Sequence, residues 1–208
     1  MLRDFLYLQI PKKLCYNEGM DITEINHETN YKINFSNLHL IKPCKKYMVS
    51  FREALLEFMA HGVEDFSYPK IDNKRDERAY LRRCERFRKG KKIPQNFVPS
   101  STFWLVDGTH FLGIGNVRHA LNDNLRRFGG HIGYAVRPAA WRKGLGTLQL
   151  ALLLAEAQKL NIPNPIITCF DGNIGSIKII EKNGGVLINK INNKIKDKDR
   201  LTRIYQVK

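Results

Sequence analysis

Apolar and polar positions alternate most clearly where Ile132, Tyr134 and Val136 are separated by smaller residues. This period of two predicts a strand, and Pro138 ends it because proline has no N–H to donate to a ladder. A long apolar run over residues 145–160 follows and predicts a helix that begins soon after the proline and packs on a sheet. The other predicted elements are arranged around this strand, turn and helix.

The same patterns predict the remaining elements. Residues 38–41 form a strand that Pro43 ends, and Asp107-Gly108, a strong hairpin signal, joins two strands within residues 101–118. We predict helices at 47–60, 76–89 and 173–182, a loop at 119–128, a buried strand at 166–170, and a closing hairpin with strands at 186–191 and 201–207 around a charged connection. Residues 1–36 show only a hint of a strand at 5–10. We interpret 1–36 as an N-terminal extension of unknown role and 37–208 as one domain.

Composition narrows the class of protein. With 208 residues, 43% of them hydrophobic, the chain has enough apolar side chains for one core. Its cysteines, Cys15, Cys44, Cys84 and Cys169, have no C-x-x-C spacing, which argues against a disulfide framework and a zinc site and suits a reducing compartment. No apolar run reaches the ~20 residues of a membrane helix. We therefore expect a cytoplasmic protein with no membrane partner and no bound metal.

The balance of charge favours anionic partners. The 35 basic and 20 acidic residues give a formal net charge of +15, which fits a nucleotide cofactor, nucleic acid or a membrane surface without choosing among them. A basic cluster lies at residues 82–92, but Phe87 is its one aromatic residue and no nucleic-acid-reading motif is present. We therefore do not expect nucleic acid to be a partner.

Two glycines stand where the long helix begins. The first N–H groups of a helix have no intrahelical partner and carry partial positive charge, so glycines there let a phosphate approach the backbone. Close packing of the helix on a sheet is the alternative explanation. The dinucleotide fingerprint and the P-loop do not fit, since a third glycine and a Gly-Lys-Ser/Thr are missing. The candidate phosphate-binding residues are Arg142, Lys143, Gly144, Leu145, Gly146 and Thr147.

The wider turn resembles a family motif. A V-x-P-x-x-[RQ]-x-x-G-x-G/A turn between a strand and a long helix is similar to the coenzyme A pyrophosphate loop of the GNAT superfamily of N-acetyltransferases. Val136, Pro138, Gly144 and Gly146 match it, whereas Trp141 stands where Arg or Gln is usual. The order of elements over about residues 37–208 is also that of a GNAT domain. The segments VPSSTFWLVDG, GGHIGYAVRP and ITCFDGNIGSIKIIEKNGG look closest to a bacterial group of predicted acetyltransferases.

The resemblance implies the fold, the cofactor and its contacts. It implies a single α/β (α+β) domain whose mixed, mostly antiparallel central sheet has about six to seven strands, helices on both faces and a splayed pair of parallel strands. Acetyl-CoA or coenzyme A would enter the splay, pair with backbone groups near Tyr134 and Val136, and place its phosphates at the turn that includes Trp141. Asn173 and Ser176 match positions that commonly contact the arm of the cofactor. A helix N-cap is the alternative role of Asn173.

The resemblance defines the catalytic groups less well. Many relatives place a tyrosine seven residues after the Asn173 position to reprotonate the thiolate, and here that residue is Ile180. Tyr134 is then the candidate general acid, with water as the alternative. His131 is the candidate base because histidine titrates near neutral pH. Strand alternation puts His131 and Tyr134 on opposite faces, however, and a structural role would also explain the histidine.

Three classes of function remain open at this stage. The first is an acetyl-CoA-dependent N-acetyltransferase, in which an amine of a small molecule or a peptide attacks the thioester directly. The second is a catalytically silent GNAT-like module that binds acyl-CoA, because no tyrosine stands at position 180. The third, a nucleic-acid-binding protein, is supported by net charge alone. The sequence names neither the acceptor nor the oligomeric state, and a homodimer is left open.

Overall fold

The chain folds into seven strands and five helices within residues 32–63, 69–195 and 198–208, which are the residues that the computed structural model describes. The strands are β1 (His39–Ile41), β2 (Ser100–Val106), β3 (Phe111–Arg118), β4 (Ile132–Val136), β5 (Ile166–Phe170), β6 (Gly185–Ile195) and β7 (Lys198–Val207). The helices are α1 (Met48–Ala60), α2 (Lys74–Lys89), α3 (Asp123–Phe128), α4 (Leu145–Lys159) and α5 (Ile174–Lys182). All helices and strands predicted within residues 37–208 are present.

The strands form two hydrogen-bonded sheets that meet at β4 and β5. β1, β2, β3 and β4 pair in that order, as do β5, β7 and β6, and every pair is antiparallel. At the N-terminal ends of β4 and β5, the His131 N–H donates to the Ile166 carbonyl oxygen over 2.6 Å. Beyond this point β4 and β5, which are parallel, have no paired residues in the described chain. The predicted mostly antiparallel sheet with a splayed parallel pair is therefore confirmed.

Each face of the sheet buries its own cluster of side chains. Against α1 and α2, the Phe51 ring packs on Trp104 and Phe111, with centroids 4.5 and 4.9 Å apart. Against α4 and α5, the opposite face buries Ile132, Leu150, Leu153, Ile167, Ile180 and Tyr205. Removing such apolar surface from water is the main stabilising contribution to a fold. Helices on both faces thus hold β4 and β5 in place on the two sides of the splay.

Two local predictions are wrong. The predicted loop at 119–128 contains α3, which begins at the N-cap Asn122, whose side-chain oxygen accepts from the Leu125 N–H at 2.9 Å. A helix of six residues is too short to show apolar periodicity, so its cap was the available signal. The charged connection predicted in the closing hairpin belongs to the ladder, which continues to the Ile195↔Lys198 pair. Backbone pairing does not require apolar side chains, so the pattern of apolar and polar residues did not predict that the strands continue through the charged segment.

The predicted N-terminal extension is described from residue 32 onward. Ile33 is buried in the same cluster as Leu105, and the Asn34 N–H donates to Asp107 Oδ2 at 3.3 Å. The last residues before the domain therefore pack on its core. The hint of a strand at 5–10 and Cys15 lie outside the described residues.

Candidate functional site

The opening between β4 and β5 is part of a long groove with a volume of about 2010 Å³. Its splay end is lined by the turn before α4, the facing parts of β4 and β5, and the start of α5. Its helical end runs over β3 and β4 between α2 and α3, where Tyr80, Asn116, Arg118 and Phe128 line it. The predicted site residues that line the groove are Tyr134, Val136, Trp141, Arg142, Gly144, Leu145, Gly146, Thr147, Asn173 and Ser176. His131 and Lys143 do not line it.

Backbone groups of β4 point into the splay. The Arg137 N–H donates to the Leu112 carbonyl oxygen at 2.8 Å, and the next pair in register is Gly113 with Val136. Alternate residues of an antiparallel strand bond to the same neighbour, so β3 uses the backbone groups of residues 133, 135 and 137. Those of Tyr134 and Val136 then face β5, which forms no ladder with β4 in the described chain. The N–H groups of Tyr134 and Val136 are therefore directed into the splay.

Trp141 covers the C-terminal end of β4. Its Nε1–H donates to the Val136 carbonyl oxygen at 2.6 Å, while 43% of its surface stays exposed. The indole therefore forms a hydrogen bond with the carbonyl oxygen of Val136 but does not contact the Val136 N–H. Arg142, which follows, is exposed and has a left-handed φ of 59°. Lys143 turns back, since its Nζ donates to the Ala139 carbonyl oxygen at 3.3 Å.

The two glycines of the turn have different roles. Gly144 is the N-cap of α4 and has a φ of 77°, and a Cβ built on it would meet no atom within 4 Å. Gly146 is buried in the first turn of α4, where an added Cβ would lie 2.6 Å from Ile179 Cδ1 on α5. Gly144 therefore provides the conformation and the open space of the turn. Gly146 permits close packing of α4 on α5, whereas the alternative given by the sequence was packing of this helix on a sheet.

A buried arginine that sequence analysis missed holds the turn to α1. The Arg137 side chain is 1% exposed; its Nε donates to Glu57 Oε1 at 2.8 Å and its Nη1 to Ser50 Oγ at 2.9 Å. Glu57 Oε2 also accepts from the Ala139 N–H at 3.1 Å, so one carboxylate binds both the arginine and the turn. Glu53 lies 3.3 Å from Arg137 Nη2. Two acids one helical turn apart, with an arginine at a strand end, were the signal available in the sequence.

The Tyr134 side chain lies between β4 and α5. It packs against the cluster that contains Ile167 and Ile180, and its hydroxyl is buried without a hydrogen-bond partner among the described residues. Burial raises the pKa of the Tyr134 phenol above its ordinary value of 10.0. The nearby Ser176 side chain partly offsets this rise in the pKa, although the hydroxyl groups of Ser176 and Tyr134 do not meet the geometry of a hydrogen bond. Tyr134 therefore stays protonated near neutral pH, and its O–H is not engaged by a described acceptor.

His131 joins β4 to β5 at the closed end of the splay. Its Nδ1 accepts the Ile166 N–H at 2.9 Å, so the ring is neutral with its proton on Nε2. Burial lowers the pKa of His131, and the charges of Arg126 and Arg118 lower it further. These contacts support the structural role. A role as the catalytic base stays a prediction that they do not support.

Asn173 and Ser176 both line the splay end of the groove. Asn173 is the N-cap of α5, since its Oδ1 accepts from the Ser176 N–H at 3.0 Å. The Asn173 amide nitrogen and the Ser176 hydroxyl have no hydrogen-bond partner among the described residues. Ile180, in contrast, is fully buried in the core, where a Cβ added to Gly185 would collide with it. The side chain at position 180 does not reach the groove.

Other chemical groups near the groove are unreactive in this arrangement. Among the residues that the structure describes, no group of three His, Cys, Asp or Glu side chains could hold a metal ion. Cys44, Cys84 and Cys169 are free thiols. Burial raises the pKa of Cys169, which lines the splay end, to about 11, so it is a thiol and not a nucleophilic thiolate near neutral pH. No helix in the described part of the chain is long and apolar enough to cross a membrane.

Comparisons with known proteins agree with this geometry. The family model described as an acetyltransferase (GNAT) domain matches residues 50–186. RimL, the ribosomal L7/L12 alpha-N-protein acetyltransferase in complex with coenzyme A, has a TM-score of 0.62 at 12% identity, over 84% of this chain and 97% of that one. The microcin C7 self immunity acetyltransferase MccE, in complex with acetyl-CoA and AMP, has a TM-score of 0.61 at 16% identity, over 82% and 91%.

A third solved structure, the ribosomal-protein-S5-alanine acetyltransferase from Vibrio fischeri, has a TM-score of 0.59 at 14% identity, over 83% of this chain and 93% of that one. A search of curated proteins by sequence finds no match. At these identities the likeness to solved structures establishes a shared fold, while the family match covers most of the chain.

Proposed function

Because the chain belongs to the GNAT acetyltransferase family, we propose that it transfers an acetyl group from acetyl-CoA to an amine on a small molecule or a peptide. The observation that carries the proposal is the splay. The N–H groups of Tyr134 and Val136 face an opening that begins at the left-handed N-cap of α4. Solved structures of similar fold hold coenzyme A or acetyl-CoA.

The splay end of the groove has the chemistry that acetyl-CoA requires. At the start of α4, the N–H groups of Leu145 and Gly146 precede the first intrahelical bonds, and the helix dipole favours an anion there. Arg142, Lys178 and Lys182 add positive charge along the same end. We place the cofactor phosphates at this turn. The arm then runs between β4 and β5 and pairs with backbone groups as an added strand would.

The reaction joins the amine nitrogen to the thioester carbonyl carbon and releases the sulfur. Attack places negative charge on the carbonyl oxygen, which the backbone N–H of Val136 or Tyr134 is positioned to stabilise. An amine with a pKa of ~10.4 is neutral in only about one molecule in a thousand near neutral pH, so its proton must leave to water or a base. The carbon–sulfur bond then breaks, and Tyr134 is the candidate that donates a proton to the thiolate.

Acetyl-CoA is expected to raise the melting temperature of the protein. The turn before α4 exists only in the folded state, and a ligand that binds only this state stabilises it by about 2.7 kcal/mol at 100 times its dissociation constant. Pantetheine, which lacks the phosphates, is the matched control and should produce a much smaller shift. Thermal melts with millimolar ligand measure both. A melting temperature that acetyl-CoA leaves unchanged would contradict the assignment of the cofactor.

Gly144→Ala is expected to weaken acetyl-CoA binding. A left-handed conformation costs an alanine about 1–2 kcal/mol, so the variant loses that stability and shifts the turn. Gly184, which ends α5 with a φ of 81° and does not line the groove, offers a matched control. Gly184→Ala should lose similar stability in urea unfolding but keep its affinity for acetyl-CoA. Equal loss of affinity in both variants would show that the turn does not contact the cofactor.

Turnover separates an acetyltransferase from a silent acyl-CoA-binding module. We expect acetyl-CoA and a panel of small amines and N-terminal peptides to release coenzyme A, detected with a thiol reagent, together with an acetylated amine identified by mass spectrometry. Tight binding of acetyl-CoA with no product from any amine in the panel would instead support the silent module.

A further inference from the structure

Arg118 lies at the helical end of the groove without a counter-ion among the described residues. The register of β3 and β4 puts its side chain on the same face as Gly133. Its Nη1 donates to the carbonyl oxygens of Gly129 and Gly130 at 2.8 and 2.9 Å. Within the described part of the chain, the Nε–H and both Nη2–H groups have no acceptor and no carboxylate is in ion-pair contact. The Nε and Nη2 side of the guanidinium, which can bind a carboxylate through two parallel N–H groups, therefore has no acceptor among the described residues.

The surroundings of Arg118 make this arrangement unusual. Burial lowers the pKa of its guanidinium to about 10, which leaves it charged near neutral pH but poorly solvated. Arg137, a fully buried arginine near the groove, is paired with Glu53 and Glu57, whereas Arg118 is partly buried. Of the described residues that line the groove, Asp123 is the one with a carboxylate, whereas the helical end also carries Arg83 and Arg127. A partly buried positive charge is stabilised by a counter-charge, so the excess of positive side chains makes the helical end suited to receive an anion.

The space beside Arg118 leads to the splay. Gly133 has no side chain, and a Cβ built on it would meet only Arg118, whose Nη2 and Nη1 lie 3.8 and 3.9 Å away. The next residue, Tyr134, directs its backbone N–H into the splay. With the cofactor phosphates at the open end, the acetyl end of the arm reaches toward the closed end of the splay. An amine at that point can therefore place another part of its molecule over Gly133.

Building on the proposed function, we infer that Arg118 binds an anionic group of the acceptor, which is thus an amine that carries a carboxylate or a phosphate near its amino group. The planar guanidinium offers parallel N–H groups that match both anions bidentately. Arg118 then orients the acceptor, and the positive groove attracts it.

Calorimetric titration of coenzyme A-saturated protein tests this inference without requiring turnover. The probes are pairs that differ in one anionic group: phenylalanine and phenylalaninamide, phosphoethanolamine and ethanolamine, and the peptide amides Ala-Asp-Phe and Ala-Asn-Phe. In the wild-type protein we expect the anionic member of at least one pair to bind tenfold or more tightly. The pair that shows the preference distinguishes an amino acid, a phosphate ester and an acidic peptide.

Three variants identify the group responsible. Arg118→Met should abolish the preference, whereas Arg126→Met, which removes an exposed charge outside the groove, should retain it. If Arg118→Met does not fold, Arg118→Lys decides, because lysine keeps the charge but not the planar fork and should lose most of the preference. No preference in any wild-type pair at millimolar concentration, or a preference that survives replacement of Arg118, would overturn the inference.

Failure of the proposed function gives a different result. If the chain is a silent module, coenzyme A binds but no amine is acetylated; if the cofactor assignment fails, titration of the free protein with coenzyme A shows no binding. The preference for anions is then measured on protein without coenzyme A, where Arg118 and Gly133 are still present.

Discussion

Arg137→Met is expected to lower the free energy of unfolding by roughly 3–5 kcal/mol, the usual effect of removing one partner of a buried ion pair. Glu57 is the residue left without its partner, and its side chain is only 14% exposed. The same carboxylate accepts from the Ala139 N–H, so the substitution removes one of the two contacts by which Glu57 holds the turn before α4 to α1. Urea unfolding measures the loss of stability. Acetyl-CoA titration of the folded variant should show weaker binding.

Glu53→Gln is the matched control for this result. Glu53 also contacts Arg137, but its side chain is 57% exposed, and exposed ion pairs contribute about 0–1 kcal/mol. Its replacement should therefore change stability little and leave acetyl-CoA affinity intact. If Arg137→Met is no more destabilising than Glu53→Gln, solvent and not Glu57 satisfies the arginine. The turn must then be held by its own backbone bonds.

The elements that position the splay were predictable because each has a strong local signal. Alternation at Ile132, Tyr134 and Val136 and the apolar run of α4 match the structure closely. Local signals fail where pairing or capping determines structure. α3 begins at Asn122 in a segment with no periodicity, and β6 and β7 remain paired through charged residues because the ladder needs only backbone groups.

Most features of the site that the sequence did not predict depend on contacts between residues that are far apart in the chain. Arg137 meets Glu57 across 80 positions of sequence, so no local pattern joins them. Arg118 differs from Arg137 in having no carboxylate partner among the described residues. This difference could not be read from the sequence, because it depends on every residue that lies near Arg118 in the fold. Gly146 looked like part of a phosphate turn, yet its nearest side chain is Ile179 on the next helix. The spacing of residues in the motif identified those that lie at the turn. It did not distinguish Gly146, which packs against α5, from Gly144, which has open space around it.

Tyr134→Phe is expected to lower kcat by about 10²- to 10⁴-fold with little change in acetyl-CoA affinity, if the phenol protonates the leaving thiolate. The hydroxyl is buried, lies in the wall of the splay and has no hydrogen-bond partner among the described residues, so its proton is not held by another acceptor when the thiolate forms. Removing an unsatisfied buried hydroxyl should not destabilise the fold. A slower enzyme of unchanged stability therefore identifies a chemical role.

Tyr205→Phe is the matched control, because it should lower stability and leave turnover unchanged. The Tyr205 hydroxyl donates to Glu181 Oε1 at 3.0 Å, and the residue lies in the core outside the groove. Its loss should cost about 1 kcal/mol of stability while turnover stays normal. Steady-state kinetics and urea unfolding of both variants separate the two roles. Full activity in Tyr134→Phe would assign the proton to water, because the aliphatic side chain of Ile180 has no proton to donate.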